Sequence, residues 1–124
     1  AIHGFAGVIG GQTNAPHGEI CGTLLPAVLE SHLKKAKKDT DIHKRISWVR
    51  RQIGTHFAMG RQSCGIAELR KWSATLGLRS LQGLGLSCDD YDEVANAAAK
   101  ASSMKGNPFP LTHMDLLEIL RAAS

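Results

Sequence analysis

Apolar residues recur every three or four positions along most of this chain, the spacing of helices that bury one face. No stretch stands out as alternating between apolar and polar residues in the way a half-buried strand does. The pattern therefore predicts an all-α fold, a bundle of about five to seven helices with short connections. The apolar stripes are Ile20, Leu24, Leu25, Val28, Leu29 and Leu33; Ile42, Ile46, Val49, Ile53 and Phe57; Ile66, Leu69, Trp72 and Leu76; Tyr91, Val94, Ala95 and Ala98; Leu116, Leu117, Ile119 and Leu120.

The length of 124 residues and the 43% hydrophobic content fit one globular domain, residues 1–124, with a real core. No run of eighteen apolar residues predicts a membrane span, and no signal peptide is visible. The chain begins without an initiator Met or a cap signal, which suggests a helix entered midway or a piece cut from something longer.

Turn and capping residues mark where the first four predicted helices begin and end. A glycine-rich helix covers Ala1–Gly11, and Pro16 is expected in the first turn of the next helix. Pro26 lies inside that second helix and cannot donate its backbone hydrogen bond, so a kink is expected there. The third helix follows the cap cluster Asp39-Thr40-Asp41 and ends near Gly60, and Gly77 closes the fourth.

Two capping-box patterns open the last two predicted helices. Ser87-Cys-Asp-Asp90 precedes an alanine-rich helix that is expected to run to about Ser103, before the stop signal Gly106-Asn107-Pro108. Thr112-His-Met-Asp115 precedes the closing helix.

Positive charge is concentrated in residues 34–61, which hold nine Lys or Arg against two Asp within a net charge of +4. Such a stripe can bind the phosphates of nucleic acid. The run from Lys34 to Lys38 also follows a helix, where cations complement the helix C-terminus and stay solvated. The solvated helix end is the favoured interpretation, and nucleic-acid binding stays as the alternative.

The three cysteines, Cys21, Cys64 and Cys88, are odd in number and widely spaced, and no C-x-x-C occurs. This pattern fits incidental thiols in a reducing compartment rather than a disulfide framework or a zinc ribbon.

His3 and His17 are the candidate metal ligands. They lie fourteen residues apart in a glycine-rich stretch, and His17 is placed between Pro16 and Gly18 just before an apolar run. Neutral imidazole is the commonest protein ligand for transition metals, but a catalytic metal needs about three protein ligands. By themselves the two histidines are part of a site at most, and His3 alone would more often be a core residue.

The other histidines and the large aromatic residues fit structural roles. His32, His43, His56 and His113 have no ligand spacing and are expected at the surface, whereas Trp48, Phe57 and Trp72 are expected in the core.

The strings around these residues resemble the iron-containing, group III alcohol dehydrogenases and the related maleylacetate reductases. The specific part is His3-Gly-Phe-Ala, then Ile-Gly-Gly, Ala-Pro-His17-Gly-Glu and Leu24-Leu25-Pro26-Ala-Val-Leu-Glu30. Gly83 to Val94, Ser102 to Pro108 and the closing helix resemble the C-terminal pattern of the family. Residues 34–66 carry little of this signal.

The resemblance implies the helical C-terminal domain of a cytoplasmic, NAD(P)-linked alcohol dehydrogenase that interconverts small alcohols and aldehydes. Its metal, Fe²⁺ or alternatively Zn²⁺, takes one Asp and three His, and His3 and His17 occupy the positions of the last two histidines. The other two ligands and the NAD(P)-binding domain belong to an N-terminal part absent from this chain. The chain alone is therefore expected to have no dehydrogenase activity.

The chain also departs from the family pattern. Gly7 stands where many members have a histidine that lines the substrate site, Ala27 replaces a histidine after Leu-Leu-Pro, and His32 replaces a common Asn. No proton relay or substrate preference is carried over. Lys105 and Asn107 could approach the active-site cleft by family position, although a helix-stop loop is the simpler interpretation.

Two rival functions remain. The first is a standalone helical interaction module that uses the face once covered by the enzyme domain and self-associates into a homo-oligomer. The second is nucleic-acid binding through residues 34–61. No membrane partner is expected.

Overall fold

A computed structural model describes residues 1–57 and 65–124, and within these ranges it contains helices and no strand. The all-α prediction is thereby confirmed. None of the described helices has the length and apolar character needed to cross a membrane. The described residues form six α-helices: α1 (Ile2–Thr13), α2 (His17–Lys35), α3 (Asp41–Phe57), α4 (Gly65–Thr75), α5 (Tyr91–Lys100) and α6 (His113–Ala122).

The helices belong to two compact units. Residues 1–28 and 79–124 form unit 1, and residues 29–78 form unit 2, so the chain of α2 passes from one unit into the other. In unit 1, α5 packs against both α1 and α6. The core of unit 1 contains the faces of α5 and α6 that were predicted to be buried. The largest fully buried side chains of this core are Phe5, Ile9, Ile20, Leu24, Leu81, Leu86, Val94, Leu116, Ile119 and Leu120.

The helix boundaries of unit 1 follow the predicted signals closely at α6 and less closely at α2. The Thr112 hydroxyl accepts a hydrogen bond from the Asp115 amide at 3.3 Å, and the Thr112 amide donates to the Asp115 carboxylate at 2.6 Å, which completes the capping box. Pro16 lies one residue before α2 rather than in its first turn, and its carbonyl accepts from the Ile20 amide at 3.1 Å. The helix continues through Pro26, which is buried.

The predicted start and end of α5 are both displaced. The Ser87 hydroxyl accepts from the Asp89 amide at 3.2 Å and caps a 3-10 turn, Cys88–Asp90, rather than α5 itself. The helix ends at Lys100, and a second 3-10 turn covers Ser102–Gly106. The residues on either side of α5 therefore take the tighter helical form, which is common at helix ends.

Unit 2 contains α3 and α4. The Thr40 hydroxyl accepts from the His43 amide at 3.2 Å, which confirms the cap before α3. Gly77 has φ of +87°, and the Leu78 amide donates to the Ser73 carbonyl at 3.1 Å, so α4 ends in the predicted glycine cap. The predicted end of the third helix at Gly60 lies outside the described residues.

The prediction that the tryptophans lie in the core is wrong, because Trp48 is 56% exposed and Trp72 is 49% exposed. The buried positions of α3 are Ser47 and Gly54, which are seven residues apart and share a face. Trp48 follows Ser47 directly and is therefore turned about 100° away from that face. Phe57 is half-buried, and its ring centre lies 5.1 Å from that of Trp72.

Among the four remaining histidines, which were expected at the surface, His56 is exposed. His32, His43 and His113 are half-buried, and burial lowers the pKa of His32. The His113 ring lies 2.8 Å from the Asp92 carboxylate, measured from Nε2 to Oδ1.

Candidate metal site

His3 and His17 come together from two different helices of unit 1. The Nδ1 atom of His3 lies 3.1 Å from the Nε2 atom of His17. The two rings are nearly parallel, at 9°, with their centres 5.3 Å apart. Because the nitrogens are much closer than the ring centres, the two rings meet through their nitrogen edges.

The turn between α1 and α2 explains how residues fourteen apart become neighbours. Asn14 adopts a left-handed conformation, with φ of +57°, and its amide donates to the Gly10 carbonyl at 3.1 Å to end α1. Asn is among the few residues that take this conformation at low cost. Phe5 on α1 and Ile20 on α2 are then fully buried in one core, while both histidines remain exposed. His3 is therefore not the core residue that a lone histidine would suggest.

An ion pair holds the first turn of α2, which carries His17. Both guanidinium nitrogens Nε and Nη2 of Arg79 donate to the Glu19 carboxylate at 2.8 Å. This hydrogen bonding to Arg79 lowers the pKa of Glu19. The Thr23 hydroxyl also donates to the Arg79 carbonyl at 2.7 Å. Glu19 and Arg79 are 60 residues apart in the sequence, so no local pattern predicts this ion pair.

Cys21 lies beside the histidine pair. Its Sγ atom is 3.9 Å from Nδ1 of His3, and the donor atoms of His3, His17 and Cys21 all lie within 4.8 Å of one another. Within residues 1–57 and 65–124, no other group of three His, Cys, Asp or Glu side chains has this metal-binding arrangement. The thiol is half-buried, and burial raises its pKa.

From the sequence Cys21 is expected to be an incidental thiol, although one signal points to it. His17 and Cys21 are four residues apart on one helix, and side chains at that spacing lie on the same face. The other described cysteine, Cys88, is exposed and belongs to no such group.

The donor atoms suit a small divalent cation. Two imidazole nitrogens bound to one Zn²⁺ at about 2.0–2.1 Å in tetrahedral geometry are about 3.3 Å apart, close to the 3.1 Å found here. Without a cation, the same distance suits one N–H···N hydrogen bond between two neutral rings. A methyl group added at Gly7 or Gly18 would meet no atom within 4 Å, so space remains open at positions next to both histidines along their helices.

Lys105 and Asn107 differ in exposure and in hydrogen bonding. Lys105 is exposed, whereas the Asn107 side chain accepts a hydrogen bond from the amino group of Ala1 and donates to Sδ of Met104 at 3.1 Å. The Asn107 side chain thus holds the start of α1, two residues before His3.

Comparisons with known proteins cover all or nearly all of the chain. A family model described as the Fe-containing alcohol dehydrogenase family, C-terminal, matches residues 1–124. Alcohol dehydrogenase 4 of Saccharomyces cerevisiae, in two strains, is 28% identical over 127 residues, which cover 98% of this chain and 31% of that protein. The chain therefore spans about a third of the length of these curated relatives.

A crystal structure of 1,3-propanediol oxidoreductase has a similar fold. The match has a TM-score of 0.72 and 21% identity, and it covers 99% of this chain and 32% of the other. At that identity the likeness concerns the fold alone, and it agrees with the all-helical architecture.

Proposed function

Because the chain belongs to the Fe-containing alcohol dehydrogenase family, as its C-terminal part, we propose that it is the helical domain of an NAD(P)-linked alcohol dehydrogenase. In this proposal His3 and His17 are two ligands of the catalytic divalent metal, with Fe²⁺ as the expected ion and Zn²⁺ as the alternative. A separate N-terminal domain supplies the remaining ligands and binds NAD(P). The substrates are small alcohols and aldehydes, interconverted by hydride transfer.

The observation that carries the proposal is the 3.1 Å approach of His3 Nδ1 to His17 Nε2. Two exposed imidazoles on different helices have no packing reason to meet edge to edge, and the turn at Asn14 and the Glu19–Arg79 ion pair hold the helices that carry them. A cation bound by both rings accounts for this arrangement, because each neutral ring offers one lone pair.

The residues of this chain bind the metal and orient it. Bound there, the metal supplies Lewis acidity toward the oxygen of the alcohol or aldehyde. Both imidazoles must present a lone pair to the cation, so protons compete with metal and binding weakens as the pH falls.

Metal titration of the 124-residue chain tests the proposal. Isothermal calorimetry with Zn²⁺, and with Fe²⁺ under anaerobic conditions, should detect weak binding that is lost in His3→Ala and in His17→Ala. Both side chains are exposed, so the fold should survive, as far-UV circular dichroism will show. His56→Ala is the matched control, because it removes an exposed histidine of α3 and should leave binding unchanged. Metal affinity that is the same in His17→Ala as in the parent chain would show the ligand assignment to be wrong.

A further inference from the structure

The histidine pair has a third potential donor close by, the thiol of Cys21. It lies one helical turn after His17 on the same face of α2, and its Sγ atom is 3.9 Å from the His3 nitrogen that faces His17. The three donor atoms, all within 4.8 Å of one another, come from two helices that meet in one core.

We propose that the Cys21 thiolate is a third protein ligand of this metal site, and that it biases the site toward Zn²⁺. The inference rests on the proposed role of His3 and His17. It adds a residue from this chain to the site and favours one of the two candidate metals.

The distances support a direct bond. With Zn–S of about 2.3 Å and Zn–N of about 2.0–2.1 Å, sulfur and nitrogen in one tetrahedral site lie about 3.5 Å apart. The observed 3.9 Å from Sγ to the His3 nitrogen exceeds this by a few tenths of an ångström, and Sγ lies within 4.8 Å of the His17 nitrogen, so the cysteine side chain must rotate toward both rings to bind the cation. When the site fills, the Sγ–H bond breaks, the proton passes to water, and the sulfur lone pair binds the cation, with no oxidation or reduction.

The burial of the three residues gives the site an inner and an outer side. Cys21 is half-buried, whereas His3 and His17 are exposed. A cation entering from solvent therefore meets the histidines first and has the sulfur behind it. Within the 124-residue chain alone, two imidazoles and one thiolate occupy three positions of a tetrahedral zinc site and leave the fourth to water.

The preference for zinc follows from the softness of sulfur. Thiolate ligands favour Zn²⁺, while carboxylates and water suit harder cations. Affinity rises from Fe²⁺ to Zn²⁺ at most sites, so the informative quantity is the Zn²⁺-to-Fe²⁺ affinity ratio with and without the sulfur. Cys21→Ser should lower the Zn²⁺ affinity by about tenfold or more, since even residues that only support ligands contribute 10–100-fold. The ratio of Zn²⁺ to Fe²⁺ affinity should fall with it.

Cobalt spectroscopy and thiol alkylation test the inference without any activity assay. With Co²⁺, the parent chain should show a thiolate-to-metal charge-transfer band in the near ultraviolet, and Cys21→Ser should lack it. Cys88→Ser is the matched control, because Cys88 is exposed and lies in none of the metal-binding groups of the described residues, and it should keep the band. Zn²⁺ should also protect Cys21 from iodoacetamide, as mapped by peptide mass spectrometry, while Cys88 stays reactive.

The outcomes separate this inference from the function on which it rests. If metal binding is lost in His17→Ala, while Cys21→Ser keeps its affinity and no charge-transfer band forms, the thiolate ligand is refuted and the histidine site stands. If the parent chain binds no metal, or His17→Ala binds it equally well, the proposed function fails and the inference fails with it.

Discussion

Replacing Gly65 with alanine is expected to destabilise unit 2, because α3 and α4 touch at this point without side chains between them. A Cβ atom at Gly65 would lie 2.7 Å from both the Cα and the amide nitrogen of Gly54. These are backbone atoms inside a helix, so no side-chain rotation can relieve the overlap. The two helices must separate.

Two opposing effects set the size of the change. Alanine is better than glycine in a helix by about 0.5–1 kcal/mol. Forcing an extra methyl group into a packed contact costs about 1–3 kcal/mol, and a backbone-to-backbone overlap belongs in the upper part of that range. The cost of the overlap exceeds the gain in helix propensity. Gly65→Ala should therefore lower the free energy of unfolding by about 1–2 kcal/mol, or Tm by about 3–8 °C.

Tryptophan fluorescence is the suitable assay, since both tryptophans of the chain, Trp48 and Trp72, lie in unit 2. Urea unfolding followed by this signal should show a lower midpoint for Gly65→Ala. Gly11→Ala is the matched control, because an added methyl group there meets no atom within 4 Å and far-UV circular dichroism should show equal or higher stability. A Gly65→Ala protein as stable as its parent would refute the close approach of α3 and α4.

Two further predictions concern unit 1. Thr112→Ala removes the hydroxyl that caps α6 and should cost about 1 kcal/mol in urea unfolding, whereas Thr112→Ser should restore most of it; equal stability of the alanine variant would contradict the capping role. The lowered pKa of Glu19 means that its carboxylate stabilises the fold above the unfolded pKa near 4.5, and that this contribution disappears as pH falls through the lower folded value. Glu19→Gln should therefore have a lower Tm than the parent at pH 7, and this difference should shrink as the pH falls below 4.5. A difference independent of pH would disprove the assignment.

Helix ends that depend on neighbouring residues were predicted well. The capping box of Thr112 and Asp115, the Thr40 cap and the glycine cap at Gly77 all form between residues at most five positions apart. The end of α5 was displaced from about Ser103 to Lys100, where the helix gives way to a 3-10 turn. These two forms differ by one residue in the spacing of their hydrogen bonds, and composition does not separate them sharply.

Burial was predicted well in unit 1 and poorly in unit 2. The faces of α5 and α6 point into the core as their periodicity indicates. In α3, the buried positions are Ser47 and Gly54, and Trp48 remains exposed despite its size. Periodicity identifies a face, but the size of the residues that fit beneath it depends on how closely the neighbouring helix approaches.

The helical class, most helix starts and the family are predictable from the sequence, because these depend on local hydrogen bonds, on spacing along the chain and on specific strings such as Ala-Pro-His17-Gly-Glu. The tertiary structure supplied the distances between the donor atoms. It placed the His3 and His17 nitrogens 3.1 Å apart, added the Cys21 sulfur beside them, and joined Glu19 to Arg79 across 60 residues. Such contacts arise when separate helices bury their apolar faces in one core. The spacing along α2 places His17 and Cys21 on one face but does not determine which residue of α1 they meet.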